Sequence, residues 1–170
     1  MEGYFEQVVD TLTAAGYRWY ETANFCLDDA RAGGRDLRAH HNLGYWGGHD
    51  YLGLGIGAVS TMSGERRRNL PSLPRYVEAL AEGVPPPREL EPIDRETHIR
   101  ELLLLGLRLD EPIALADVAA AVDADALTRL VELDLVELSA NGRGTEMRLT
   151  RRGRFLGGGV TAELLVLADR

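Results

Sequence analysis

Three consecutive prolines, Pro85 to Pro87, constrain this chain more than any other feature. Proline has no backbone N–H to give to a helix or an inner strand, and its ring holds φ at about −65°. The run "VPPPRELEP" therefore ends any regular element that enters it and places a boundary near residues 84 to 91. The expected division is 1–88 and 89–170. With 170 residues in all, that means two small units sharing an interface.

Periodicity fills in both sides. Phe5, Val8, Val9 and Leu12 recur at helical spacing, and Gly16 closes the helix. "YRWYETANF" alternates, with Tyr17, Trp19 and Glu21 on one face and Arg18 and Tyr20 on the other, and reads as one strand of an α/β repeat. Residues 27–39 have no period and read as loop. In "PSLPRYVEALAEG" the stripe Leu73, Tyr76, Val77 and Leu80 predicts a helix with prolines in its first turn and Gly83 at its end. Beyond the prolines, Asp94 can cap a helix whose face carries Ile99, Leu102, Leu103 and Gly106. "ALADVAAAV" and "DADALTRLVELD" predict two short helices, "LVEL" a strand, "SANGRG" a hairpin tip and "TEMRLT" the return strand. Thr150 can cap a last helix through Leu164 to Leu167. The fold class expected is α+β, with a winged-helix-like order in its second half.

Charge and cysteine usage exclude several functions. The formal charge is −8, and all 19 basic residues are arginine, so non-specific binding to nucleic acid or an anionic membrane is disfavoured. "MEGYFEQVVDTL" is acidic and has no apolar core of the kind a signal peptide needs, and no apolar run is long enough to span a membrane. A cytoplasmic protein is expected. Cys26 is the sole cysteine, which rules out an intrachain disulfide and a cysteine-only metal site.

The segment with chemistry is "HHNLGYWGGHDYLGLGIGAVS", His40 to Ser60, too irregular for one helix or one alternating strand. Its glycines at 53, 55 and 57 suit a bulged strand approached closely by another backbone. Their two-residue spacing is not the G-x-G-x-x-G of a dinucleotide site. A neutral imidazole is a ligand for haem iron, Tyr45 and Trp46 can lie beside a flat macrocycle, and Asn42 can fix a turn or orient the imidazole. A packed or hydrogen-bonded role for the histidines is the alternative.

The segments "GYRWYETANF", "HNLGYW", "DYLGLGIGA", "RELLLLGLRL" and "LVELDLVEL…RLTRRGRFL" occur in the order found in the C-terminal part of the HemW-type radical S-adenosylmethionine (SAM) haem chaperones, which the chain resembles over nearly its whole length. These are relatives of the oxygen-independent coproporphyrinogen III oxidases. The most specific element is H-N-x-x-Y-W, found in the chaperone branch and not in the oxidase. The resemblance implies that residues 1–88 are the terminal α/β portion of a TIM-like radical SAM barrel and that 89–170 are a winged-helix-like C-terminal domain. It puts haem on His41, with Asn42, Tyr45 and Trp46 completing the motif, and SAM near Gly57, Ala58 and Val59. It also implies a haem-acceptor protein as partner, and homodimerisation is possible. The chain departs from the pattern twice: "GIGAVS" stands where G-P-G-A-H-S is usual, and His40 stands where arginine is common, so that either His40 or His41 is the ligand. The family's [4Fe–4S] cluster needs three cysteines as C-x-x-x-C-x-x-C, and one cysteine cannot hold it. The chain thus reads as a C-terminal fragment or truncated reading frame, inactive alone as a radical enzyme.

Two other functions were open on the sequence. The same barrel could decarboxylate coproporphyrinogen III, although "HNLGYW" favours the chaperone. A winged helix could bind DNA through Arg143, Arg148, Arg151, Arg152 and Arg154, but "DADALTRLVELD" in the recognition position is acidic and lacks side chains for base reading. "GERRRN" at 64–69 reads as a solvated hairpin or subunit contact, His98 as a surface residue on its helix, and His49 with Asp50 as part of a turn.

Overall fold

The computed structural model describes residues 2–166, so the expected helical end at Leu167 lies outside the described residues. Helix α1 (Glu2–Ala14) leads into a hairpin of β1 (Tyr17–Glu21) and β2 (Asn24–Leu27). The single strand expected over 17–25 is therefore two strands. The reversal is held by Glu21, whose carboxylate accepts from the Ala23 N–H at 3.0 Å and from the Asn24 side-chain amide at 2.7 Å. A carboxylate capping the backbone two residues on is a local turn device that side-chain alternation does not reveal.

Residues 28–39 form the expected loop, followed by the short helix α2 (His40–Trp46). Strands β3 (Val59–Met62), β4 (Glu65–Asn69) and β5 (Arg88–Pro92) make an antiparallel sheet with β4 in the middle. Helix α3 (Leu73–Ala81) connects β4 to β5. "GERRRN" is thus the central strand of a sheet, its arginines kept soluble by ion pairs such as Arg67 with Glu65 at 2.6 Å. The prolines do interrupt regular structure, but strand pairing resumes at Arg88, opposite Asn69.

Beyond them, α4 (Arg95–Gly106) starts where Asp94 accepts from the Thr97 N–H at 2.7 Å, a cap worth about 1 kcal/mol. There follow β6 (Ile113–Ala114), α5 (Leu115–Val118), a 3-10 turn, α6 (Ala124–Glu132), and the hairpin of β7 (Val136–Asn141) and β8 (Gly144–Leu149). β8 lies between β6 and β7. Thr150 caps α7 (Arg151–Phe155), accepting from the Gly153 N–H at 3.0 Å. The chain then bends at Leu156 into α8 (Gly157–Leu164), so the expected last helix is two. Among the described residues every strand pairing is antiparallel.

The apolar core belongs to the second half. Leu103, Leu130, Met147 and Leu164 are fully buried in one cluster with Val118, Val136 and Leu149. The first half buries Val9, Trp19, Tyr20 and Cys26, and much of its apolar surface is open: Leu73, Val77 and Leu80, the predicted stripe of α3, are 60%, 53% and 55% exposed. The halves are joined around the β1–β2 hairpin. Arg18 grips Asp110 through two bonds of 2.8 Å, Tyr20 O accepts from the Asp110 N–H, and Arg108 reaches Glu21.

Candidate functional site

Helix α2 carries the H-N-x-x-Y-W residues. Its seven residues place His41 and Tyr45 one turn apart on one face, and Asn42 and Trp46 one turn apart on the adjoining face. The His41 ring stands edge-on to Tyr45, with centroids 4.8 Å apart and planes at 86°. Tyr45 in turn meets Tyr51 at 4.3 Å. Trp46, on the adjoining face, has the Arg108 guanidinium 5.8 Å over its ring. Asn42, Tyr45 and Trp46 are half-buried, and His41 is exposed. His40 is also exposed but turns back on the preceding loop, its Nε2 lying 3.9 Å from Asp36.

The entry to α2 is fixed from two directions. The Ala39 N–H donates to the Tyr20 hydroxyl at 3.2 Å. Arg38 pairs with Asp36 and reaches across to Glu111, which also accepts from Arg18. Hydrogen bonds from Arg38 hold the Asp36 carboxyl well below the ordinary carboxylate range. The loop that delivers His40 and His41 is therefore tied to the start of the second half.

The glycine-rich run is not a strand. Residues 52–58 form an irregular turn that enters β3 at Val59. Its shape comes from polar side chains, of which Ser60 and Asn69 are buried. Asn69 donates through its side chain to Gly55 O at 2.9 Å, Ser60 Oγ accepts from the Gly53 N–H at 3.0 Å, and the Tyr76 hydroxyl accepts from the Gly55 N–H at 3.0 Å. At Gly53 a Cβ would lie 2.2 Å from Val59 O, so the close backbone approach expected of these glycines is real, and the backbone is the chain's own. The Gly57 N–H and Ala58 O are both engaged by the Asn69 backbone, at 3.1 and 2.9 Å.

Between α2, the β3–β5 sheet and α4 lies a cavity of about 420 Å³. Tyr45, Trp46 and Tyr51 supply rings to its wall, His49 and His98 supply imidazoles, and Leu102 supplies an apolar side. Arg66 also lines it, paired with Glu101 at 2.5 Å and Glu91 at 3.4 Å. His98 is thus exposed as expected, yet it stands on a cavity wall opposite the motif helix. Its position one turn after Asp94 was legible in the sequence. The partner across the cavity was not, because it lies some fifty residues away. Asp50 takes the expected turn role, its carboxylate accepting from the Ser63 N–H at 3.1 and 3.0 Å.

The arginines of the wing region are largely engaged. Arg148 pairs with Glu137 and Arg151 with Asp10. Arg154 lies 3.7 Å over the Trp19 ring, and burial pulls its pKa down to about 10. Candidate α6 side chains remain acidic, and Arg129 is paired with Glu163. Cys26 is buried, and among the described residues no cluster of His, Cys, Asp and Glu is arranged to hold a metal ion. None of the described helices is long and apolar enough to cross a membrane.

Residues 93–156 match the family described as the HemN C-terminal domain. The chain is 34% identical over 161 residues to "Heme chaperone HemW" of Mycobacterium tuberculosis (strain ATCC 25618 / H37Rv), covering 95% of this chain and 38% of the relative. It is 30% identical over 164 residues to the protein of the same name from Bacillus subtilis (strain 168), covering 95% and 41%. Among solved structures it matches "Coproporphyrinogen III oxidase (HemN) from Escherichia coli is a Radical SAM enzyme" with a TM-score of 0.64 at 20% identity, over 94% of this chain and 39% of that one. At that identity the shared property is the fold. The chain spans about two fifths of the length of these curated relatives.

Proposed function

From the premise that the chain is a relative of the HemW haem chaperones, carrying a HemN C-terminal domain at residues 93–156, we propose that it binds haem on α2 and passes it to an acceptor protein. The observation that carries this reading is the His41 imidazole. It is exposed on a helix face and braced edge-on by Tyr45 at 4.8 Å. An exposed neutral imidazole has a nitrogen lone pair to give to iron, and the ring beside it limits rotation without competing for that lone pair. His40 is the weaker candidate, because its ring turns back on the preceding loop, with Nε2 3.9 Å from Asp36. Tyr45 offers a face for the macrocycle, while Trp46 packs beside it under the Arg108 guanidinium.

Transfer to an acceptor needs the iron to be held by few bonds and from an accessible side. An exposed ligand on a seven-residue helix meets both needs. A buried, doubly ligated haem would leave slowly.

The order of β6, α5, α6, β7 and β8 supports a winged-helix-like domain after the prolines, and the preceding residues are assigned to the end of a radical SAM barrel. SAM contact is assigned to Gly57, Ala58 and Val59. The Gly57 N–H and Ala58 O are already used by Asn69, so these residues would offer SAM the open side of Gly57, where a Cβ would meet nothing within 4 Å. The single buried cysteine does not fit a [4Fe–4S] cluster, so no radical step is assigned to this chain.

Haem titration tests the reading. Wild-type chain is expected to shift the Soret band, and His41→Ala to abolish or strongly weaken the shift. An unchanged spectrum in His41→Ala would remove the assignment.

A further inference from the structure

We infer that the cavity behind Tyr45 seats one edge of a porphyrin, and that it selects the edge free of carboxylates. The inference rests on the haem reading only for the choice of a porphyrin as occupant.

Three observations carry it. The first is a continuous line of rings. His41 touches Tyr45 at 4.8 Å, Tyr45 touches Tyr51 at 4.3 Å, and both tyrosines line the cavity while His41 stands just outside it. A flat ligand centred near His41 and lying against Tyr45 extends its far edge toward Tyr51 and into the cavity. The second is size. About 420 Å³ falls within the range of small-molecule pockets and suits part of a macrocycle better than the whole. The third is charge. Arg66, the one arginine on the wall, is already paired with Glu101 at 2.5 Å and with Glu91. A carboxylate entering here would find the arginine already paired and the Glu101 carboxylate beside it, so it would shed water without gaining an unpaired arginine. Methyl and vinyl groups meet Leu102 and the tyrosine rings instead. The two propionates of haem then lie on the solvent side, and a porphyrin bearing a propionate on all four pyrroles has no edge that fits.

The test uses metal-free porphyrins, whose binding cannot depend on an iron ligand. Protoporphyrin IX is titrated into the whole chain and followed by its fluorescence, with circular dichroism as a check on each variant. It is expected to bind wild type, and His41→Ala to keep most of that binding, because the metal-free macrocycle still meets Tyr45 and Tyr51. Tyr51→Ala, which removes a ring, and His98→Trp, which crowds the wall from an exposed position, are each expected to weaken it about tenfold or more. Coproporphyrin III is expected to bind wild type at least about tenfold more weakly than protoporphyrin IX, and Glu101→Gln, which frees Arg66, to narrow that gap. The proposal is overturned if Tyr51→Ala and His98→Trp both bind like wild type, if His41→Ala abolishes binding, or if coproporphyrin III binds equally well. Absence of protoporphyrin binding to wild type also overturns it, yet leaves iron ligation by His41 standing. A missing Soret shift alongside intact protoporphyrin binding does the reverse.

Discussion

Glu21 and Arg108, 87 positions apart, meet at 2.6 Å with the Glu21 side chain fully buried and Arg108 still 44% exposed. The pair closes the β1–β2 turn against the end of α4, beside the Glu21–Leu109 bridge. The partners are not equivalent. Truncating Arg108 leaves a buried carboxylate without its counter-ion, whereas neutralising Glu21 leaves an arginine that water can solvate.

Arg108→Met is therefore expected to cost about 3 kcal/mol, and Glu21→Gln, which keeps much of the hydrogen bonding, about 1 kcal/mol. Urea unfolding at neutral pH measures both, and equal costs would contradict the asymmetry. The pH dependence follows from the same site. Burial pushes the Glu21 carboxyl up, but the Ala23 N–H, the Asn24 amide and Arg108 outweigh it and hold the pKa below its ordinary 4.5. A carboxyl with a depressed folded-state pKa stabilises fully above its unfolded value, and that contribution is lost as pH falls through the folded one. Wild-type stability should fall below pH 4.5 more steeply than that of Glu21→Gln.

The histidines separate by place. His40→Ala removes an imidazole held near Asp36, so it is expected to leave the haem spectrum largely intact, as are His49→Ala and His98→Ala, which act on the cavity rather than the iron. Absorption spectra of the four single variants check this. Loss of the Soret shift in His40→Ala, with His41→Ala unaffected, would move the ligand by one residue.

Glycines 53 and 57 differ in kind, which a pair of alanine variants should reveal. At Gly53 a Cβ would meet the Val59 carbonyl at 2.2 Å, so the backbone must move, at an expected cost of about 2 kcal/mol. At Gly57 there is open space but φ is +68°, and the cost is the left-handed conformation alone, about 1 kcal/mol. Thermal unfolding should rank Gly53→Ala below Gly57→Ala, and a reversed order would contradict the close approach.

The features legible in the sequence are those set by near neighbours. The Asp94 and Thr150 caps, the stripe of α4, and the hairpin tip between Asn141 and Gly144 all depend on residues within one turn or one strand. The H-N-x-x-Y-W residues were likewise legible as a group. Their helix was not, because one glycine and four ring residues give α2 no apolar stripe, and long-range contacts such as Ala39 to Tyr20 fix its start. The β1–β2 turn escaped because its alternation continues through the reversal, and the turn is made by one carboxylate. The cavity escaped for a different reason. Its walls come from α2, strands β3 and β4, and α4, and only the tertiary fold brings Arg66 and His98 to Tyr45.

Helices α3 and α4 each carry an apolar stripe in sequence but differ in what covers it. On α4, Leu103 is fully buried in the main cluster, and Leu103→Ala is expected to cost about 3 kcal/mol. On α3, Leu73 and Val77 are 60% and 53% exposed, so Leu73→Gln and Val77→Gln should each change stability by no more than about 0.5 kcal/mol. The same difference governs local opening. A helix with little apolar area buried beneath it opens at low free energy, so amides of α3 should exchange hydrogen well before those of α4 and α6. Exchange followed by mass spectrometry reads both helices in one experiment. Equal protection of α3 and α4, or a large loss of stability in Leu73→Gln, would mean that the α3 stripe is covered in solution by something that binds it. Fast exchange in α3 with the glutamine variants near wild type would establish that the apolar stripe contributes little to folding and is free to meet another surface.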